Sequence, residues 1–215
     1  MSLVGEKAPD FVAPAVMPDN SFKENFHFAE FVLEKYAVLF FYPGDFTFVC
    51  PTEILAFSHR LDDFASRDCV IAAVSTDSHF THLAWKSTPV ERGGLGAVRF
   101  PLVADVTKKI SASYDVLKGD EIVVDNSGRR HHLLGGSVAL RGLFLLDRQM
   151  VIRHQVVNDA PLGRSVDETL RVLDALRHFK EHGEVCPVNW RPGQAGIEAT
   201  PEGIAEFLHQ YGESL

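Results

Sequence analysis

An α/β sheet covered by helices on both faces is the fold class that this sequence predicts, and three observations predict it. Short apolar runs of strand character alternate with stretches whose apolar residues recur at helical spacing. Two further β-like runs, 142–147 and 150–156, lie around Asp147-Arg148-Gln149, close enough for an antiparallel hairpin. A last long helical pattern then leads into a Pro/Gly-rich tail that does not belong to the central sheet.

Each element has its own signal. The first ~30 residues are rich in Pro, Asp and Phe and read as irregular or hairpin-like, with Asp19-Asn20 a good turn site. Residues 37–42 form an apolar strand that ends at Pro43-Gly44. A helix from about 52 to 66 follows, patterned by Ile54, Leu55, Phe57, Leu61 and Phe64. Residues 70–75 are a second apolar strand, closed by Thr76-Asp77-Ser78, which can cap a helix over 79–87. Residues 92–96 are a loop, 100–104 a third strand, and 106–114 a short helix. The Ser-Gly, Arg-Arg, His-His and Gly-Gly pairs of 126–136 mark a loop or hairpin tip. Beyond the 142–156 hairpin, Ser165 with Glu168 three residues on is a capping box. It opens a helix with Leu170, Leu173, Leu176 and Phe179 on one face.

Composition narrows the function classes. A chain of 215 residues, 46% hydrophobic and 23% charged, suits one core domain with or without a tail. A net charge of −8 leaves no electrostatic footprint for nucleic acid. No apolar run approaches the ~20 residues needed to cross a bilayer, so no membrane partner is expected. Met1-Ser2-Leu3-Val4-Gly5-Glu6-Lys7 lacks the basic and then apolar regions of a secretory signal, and the expected compartment is reducing and cytoplasmic. Three cysteines, far apart and without a Cys-x-x-Cys pair, point neither to a disulfide framework nor to a zinc site. Single thiols, reactive or buried, remain.

Cys50 has the setting for chemistry. Phe40-Phe41-Tyr42-Pro43-Gly44-Asp45-Phe46-Thr47-Phe48-Val49-Cys50-Pro51-Thr52-Glu53 runs from a strand through a turn into the first turn of a helix. A helix N-terminus stabilises negative charge and so favours a thiolate. A cysteine after a strand is otherwise a small buried hydrophobe. Here Pro43 and Thr47 precede it at spacings that bend the loop and bring a hydroxyl towards the sulfur. Pro51 biases Cys50 away from helical backbone angles, which places the thiol at the helix boundary. Cys69, before a buried strand in Arg67-Asp68-Cys69-Val70-Ile71, reads as a packed apolar residue. His79 with His82, and His178 with His182, can each share a helix face. No carboxylate or cysteine set completes a metal site, so satisfied or solvated histidines are expected, with His131-His132 in a loop. Trp85 reads as a packing residue, and Gly93-Gly94-Leu95-Gly96 is too short for a dinucleotide fingerprint.

The spacing Pro43-x-x-x-Thr47-x-x-Cys50, within the stretch above, resembles the peroxidatic motif of the peroxiredoxins. More narrowly it resembles the typical two-cysteine group that includes the alkyl hydroperoxide reductase C subunits. Similarity continues through Ser75-Thr76-Asp77-Ser78-His79-Phe80-Thr81-His82-Leu83-Ala84-Trp85 and Arg141-Gly142-Leu143-Phe144-Leu145-Leu146-Asp147. It extends to Val157-Asn158-Asp159, to Gly163-Arg164-Ser165-Val166-Asp167-Glu168-Thr169-Leu170 and to Gly183-Glu184-Val185-Cys186-Pro187.

The resemblance implies a thioredoxin-like α/β fold with an N-terminal extension, a peroxiredoxin domain over 1–182, and a C-terminal tail over 183–215. It implies a thiol peroxidase that reduces hydrogen peroxide and alkyl hydroperoxides without metal, haem or flavin, in antioxidant defence. Cys50 is then the peroxidatic cysteine, oxidised to a sulfenic acid. Cys186 is the resolving cysteine, which condenses with that sulfenic acid on the partner chain to give an intersubunit disulfide. Thr47 would offer a hydroxyl, and Arg141 a permanent guanidinium charge, to the reacting oxygens. Pro43 would shield the sulfur from water. Glu53 would orient a donor, or simply be a favourable acid in a helix first turn. Nucleophile and resolver on different chains imply a homodimer, with a pentamer of dimers as the larger assembly. A thioredoxin-type or flavin-linked disulfide reductase would restore the thiols, and resolution would require the Cys50 turn to unwind locally.

Two places depart from the family pattern. Gly93-Gly94-Leu95-Gly96 resembles the first half of a signature for sensitivity to overoxidation, but the Tyr-Phe pair of its second half is missing, since Gly212 follows Tyr211. Residues 201–211 still suit an amphipathic helix through Ile204, Phe207, Leu208 and Tyr211. Packed over the Cys50 turn, such a helix would slow unwinding and let a second peroxide drive Cys50 to sulfinic acid, giving intermediate sensitivity. The segment 125–139 is longer than the family usually has, and basic and His-rich at its tip. It reads as an inert loop, with contact to a reductase or a neighbouring dimer as the alternative. A thiol–disulfide oxidoreductase on the same fold would want a Cys-x-x-Cys pair. A holdase chaperone or peroxide-signal relay shares Cys50 and would be told apart by assembly size and client protection.

Overall fold

A computed structural model describes residues 2–119, 122–124, 130–132 and 137–214. The chain divides into two compact units, Met1–Arg164 and Ser165–Leu215. The first unit opens with β1 (Val12–Val16) and β2 (Phe22–His27), an antiparallel pair. Asp19-Asn20 makes the turn as expected: Asn20 takes φ 67°, and Asp19 Oδ1 accepts from the Ser21 amide at 3.0 Å. α1 (Phe28–Val32) leads to β3 (Tyr36–Phe41), then α2 (Cys50–His59) and α3 (Leu61–Ala65). β4 (Cys69–Ser75), α4 (His79–Ser87), β5 (Leu102–Ala104) and α5 (Lys109–Ser113) follow. β6 (Ile122–Val124) pairs with β7 (Arg130–His132), and β8 (Arg141–Leu146) with β9 (Ile152–Asn158).

Among the described residues, seven strands form one sheet in the order β2-β1-β5-β4-β3-β8-β9. All six residues of β3 are buried, which needs cover on both faces of the sheet. On one face Ala37, Leu39 and Phe41 share a core with Phe28, Val32 and Ile110 of the helices α1 and α5. On the other, Phe40 stacks on Phe57 of α2 at 4.8 Å and meets Phe100 at 5.7 Å. Alternation along one strand therefore feeds two cores. β3 runs parallel to β4 and antiparallel to β8, with Phe40 opposite Leu143. That register sets the start of β8, at Arg141, beside the end of β3, where the chain departs for Cys50.

Several boundaries differ from the sequence reading. The helix expected over 52–66 begins at Cys50 and breaks at Arg60 (φ −96°, ψ 11°). The helix expected over 106–114 shrinks to α5, because Lys108 is left-handed (φ 61°) and buried Asp105 caps from upstream. Its carboxylate accepts from the amides of Ile110 and Ser111 at 3.1 and 2.7 Å. His131-His132 lies in β7, not in a loop. The tip and most of the 125–139 segment lie outside the described residues.

In the second unit, α6 (Val166–His182) starts at Ser165, whose hydroxyl accepts from the Glu168 amide at 3.1 Å. It ends at Gly183, φ 76°, the left-handed position that favours glycine. α7 (Pro201–Tyr211) covers the helix expected there, with Thr200 capping Gly203 at 3.0 Å and Pro201 in its first turn. Among the described residues, no helix is long and apolar enough to cross a membrane.

Candidate active site

Cys50 is the first residue of α2 and is fully buried. The pre-proline bias expected to hold it outside the helix loses here. Val49 already has helical angles, φ −85° and ψ −35°, and Pro51 sits in the first turn, where a missing N–H breaks no helical hydrogen bond. One turn on, Glu53 shares the face of Cys50. The sequence leaves it as a donor-orienting residue or a favourable first-turn acid; in the structure it joins both arginines of the site.

Arg141 places Nη1 3.4 Å from Cys50 Sγ and 2.6 Å from Glu53 Oε2, while its Nε donates to the Ala160 carbonyl at 2.6 Å. Arg164 clasps the other side of Glu53, with Nε at 2.7 Å from Oε1 and Nη2 at 2.9 Å from Oε2. Its backbone amide adds a donor at 2.9 Å. Its Nη1 donates to the carbonyls of Phe41 and Gly142, at 2.8 and 2.6 Å, and so ties the end of β3 to the start of β8. All three charged side chains are almost wholly buried. Burial pushes the Arg164 pKa down, and the carboxylate of Glu53 works against that. Two guanidiniums and one carboxylate leave a positive charge unbalanced beside the sulfur of Cys50. The same Arg141 donor can follow negative charge onto the peroxide oxygen that leaves as the O–O bond breaks.

Arg164 escapes the sequence reading as a site residue, although it lies inside Gly163-Arg164-Ser165, directly before the capping box. Thr47 donates its hydroxyl proton to the Gly44 carbonyl at 2.8 Å, so its oxygen is available as an acceptor. Pro43 is half-buried at the start of the same loop.

A second buried network lies at the base of that loop. Asp45 accepts from Tyr42 Oη at 2.9 Å and pairs with His82 Nδ1 at 2.8 Å, and His82 Nε2 lies 3.2 Å from the Val103 carbonyl. The Asp45 amide donates to Asp77 at 2.9 Å. Burial raises the Asp45 pKa against the His82 bond, and pushes Tyr42 well above the usual phenol value. His82 is thus a satisfied core histidine. The ring of Phe46, at φ 54°, rests against Trp85, which packs as expected and donates to the Gly93 carbonyl at 2.8 Å.

All three cysteines are free thiols. Cys69 is buried in β4, and burial holds its pKa far above the usual thiol value, consistent with a packed neutral side chain. Cys186 is half-buried in the second unit and donates to the Ala175 carbonyl at 3.5 Å. Burial raises its pKa, with Arg171 opposing and Glu184 reinforcing the shift. Among the described residues, no three His, Cys, Asp or Glu side chains are grouped to hold a metal ion.

The family model described as "AhpC/TSA family" matches residues 4–155, and that described as "C-terminal domain of 1-Cys peroxiredoxin" matches 175–210, the stretch containing Cys186. The chain is 50% identical over 208 residues to alkyl hydroperoxide reductase C of Helicobacter pylori, covering 97% of each. It is 48% identical to peroxiredoxin-2 of Mus musculus, covering 97% of this chain and 96% of that one. In structure it is similar to the reduced 2-Cys peroxiredoxin of Plasmodium vivax, with a TM-score of 0.86 and 42% identity over 97% of this chain and 100% of the other.

Proposed function

This chain belongs to the AhpC/TSA family, as a thiol peroxidase of the two-cysteine peroxiredoxin kind with a thioredoxin-like fold, and on that premise we propose which residues carry the reaction. Cys50 is the peroxidatic nucleophile. Its thiolate attacks one peroxide oxygen: the S–O bond forms, the O–O bond breaks, and the leaving oxygen takes a proton and departs as water or alcohol. The observation that carries this assignment is the 3.4 Å approach of Arg141 Nη1 to Cys50 Sγ, with Arg141 held by Glu53. Arg141 stabilises the leaving oxygen and is held by Glu53, which Arg164 holds in turn; the Thr47 hydroxyl oxygen accepts a hydrogen bond from the peroxide O–H, and Pro43 screens the sulfur.

Cys186 is the resolving thiol. Its sulfur attacks the Cys50 sulfenic sulfur of the partner chain, the S–S bond forms, and the S–O bond breaks to release water once protonated. Cys50 is 0% exposed, so the first turn of α2 must unwind before another chain can reach it. Functionally the chain then divides at 182/183, the tail from Gly183 carrying the travelling thiol. A thioredoxin-type or flavin-linked disulfide reductase supplies the two electrons that reopen the disulfide. β9 supports a homodimer, because it ends the strand order and, beyond Ile152 where Gly5 and Glu6 pair with it, runs along the edge of the sheet towards a second copy. Exposed Phe22, Phe48 and Phe80, the second at 94%, support closure of dimers into a pentamer of dimers. Three free thiols suit a reducing, cytoplasmic setting.

Non-reducing gels after one equivalent of peroxide test the assignment on wild type, C50S, C69S and C186S. Disulfide-linked dimers are expected in wild type and C69S alone. Dimers that persist without Cys50 or Cys186 refute it.

A further inference from the structure

The segment that carries Cys186 is fastened to one face of α6 at three points. Arg171, Ala175 and His178 stand four and three residues apart, the spacing that aligns side chains along a helix. Upstream of the thiol, His178 Nε2 donates to Glu184 at 2.9 Å, a carboxylate that can only accept. Downstream, Arg171 Nη1 donates to the Trp190 carbonyl at 3.1 Å. Between the two clamps Cys186 itself reaches the Ala175 carbonyl. Each clamp is braced in turn. Glu168 holds Arg171 with two bonds of 2.7 Å, and the His178 ring lies against His182 at 4.6 Å and Trp190 at 4.8 Å. Val185 and Ile197 exchange backbone bonds of 2.8 and 2.9 Å. At the neighbouring Gly196 a Cβ would stand 2.9 Å from His178 Nε2 and collide with Glu184, so the clamp needs glycine there.

A thiol that resolves a sulfenic acid on another chain must leave these contacts. We propose that Arg171 and His178 are positioning residues for the resolving step, a two-point latch on α6 that sets how fast the Glu184–Trp190 segment releases Cys186. The proposal rests on the reading of Cys186 as the resolving cysteine. The latch is made before resolution and lost during it, so weakening it removes a restraint on the reacting state and speeds that step alone. A slow latch prolongs the life of the Cys50 sulfenic acid and with it the chance of a second oxidation.

The test is a quenched-flow time course of the full-length protein mixed with hydrogen peroxide, reading sulfenic acid at Cys50 and the Cys50–Cys186 disulfide separately by mass. His178→Phe keeps a ring against Trp190 but removes the donor to Glu184; His178→Gln retains a donor; Arg171→Met removes the second clamp. Disulfide formation should be about three- to tenfold faster in H178F and R171M, the factor that one lost hydrogen bond corresponds to. H178Q should return towards wild type, and sulfenic acid formation should keep its rate in all three. Melting curves confirm that each variant is folded. Folded H178F and R171M that resolve within about twofold of wild type, or more slowly, overturn the latch. Cys186→Ser separates the two readings: disulfide dimers that survive it remove the resolving role itself, whatever the other variants do.

Discussion

Replacing Glu53 by glutamine is the sharpest perturbation of the site. The carboxylate receives four bonds, from Arg141 Nη1 at 2.6 Å and from Arg164 Nε, Nη2 and backbone N at 2.7, 2.9 and 2.9 Å. Glutamine matches its volume but keeps one acceptor oxygen and turns the other into an NH₂ aimed at a guanidinium. Two buried cations are then left without their anion. Breaking a buried ion pair from one side costs about 3–5 kcal/mol. In a chain of this length 1 kcal/mol moves the melting temperature by about 2–4 °C, so E53Q should melt about 6–20 °C lower. Arg141 also loses its anchor, and a misplacement of about 1 Å lowers the rate of peroxide attack by about 100-fold. Thermal unfolding at matched protein concentration and stopped-flow peroxide consumption read the two effects. An E53Q protein that melts within about 2 °C of wild type and consumes peroxide within about threefold of it refutes the role of Glu53 in joining the two arginines.

Arg141→Ala removes the donor at the sulfur while leaving Glu53 paired with Arg164. The chain should fold and react with peroxide about 100- to 1,000-fold more slowly, and a loss below about tenfold in single-turnover kinetics would contradict the role. Cys69→Ala should leave peroxidase activity intact and alter the alkaline limb of stability. The folded Cys69 thiol stays neutral where an unfolded one ionises, near pH ~8.5, so above that pH wild type loses about 1.4 kcal/mol per pH unit that C69A does not lose. Parallel stability curves from pH 8 to about 10 would count against it. Deleting 201–215 removes α7, which the sequence reading sets over the Cys50 turn. Less sulfinic acid per turnover should accumulate at Cys50 by mass spectrometry, and a clear increase would sink that idea.

Much of the fold is legible because its signals are local. The alternating strand and helix patterns, the Asp19-Asn20 turn, the Ser165 cap and the helix over 201–211 all appear where their residues place them. Errors fall at helix starts, where cap and first-turn geometry outweigh the residue pattern. Cys50 enters the helix despite Pro51, and Asp105 shortens α5 from outside it. The site divides in the same way. Cys50 stands out by its position on a helix end. Arg164 does not, because 111 residues separate it from Glu53 and the carbonyls of Phe41 and Gly142 that hold it are brought together only by the pairing of β3 with β8. A buried salt bridge between distant residues leaves no periodicity to read. The Asp45–His82 pair is invisible for the same reason, although both residues lie in motifs that the sequence reading singles out.

The central claim is that Cys50, set against Arg141, is the thiol that peroxide oxidises. A variant with Cys50 as its only cysteine, C69S/C186S, tests it most directly when mixed with one equivalent of hydrogen peroxide and a sulfenic-acid trap. The account predicts that peroxide is consumed in a single turnover and that the trapped adduct maps to Cys50. A C50S protein that consumes peroxide at the wild-type rate would contradict it.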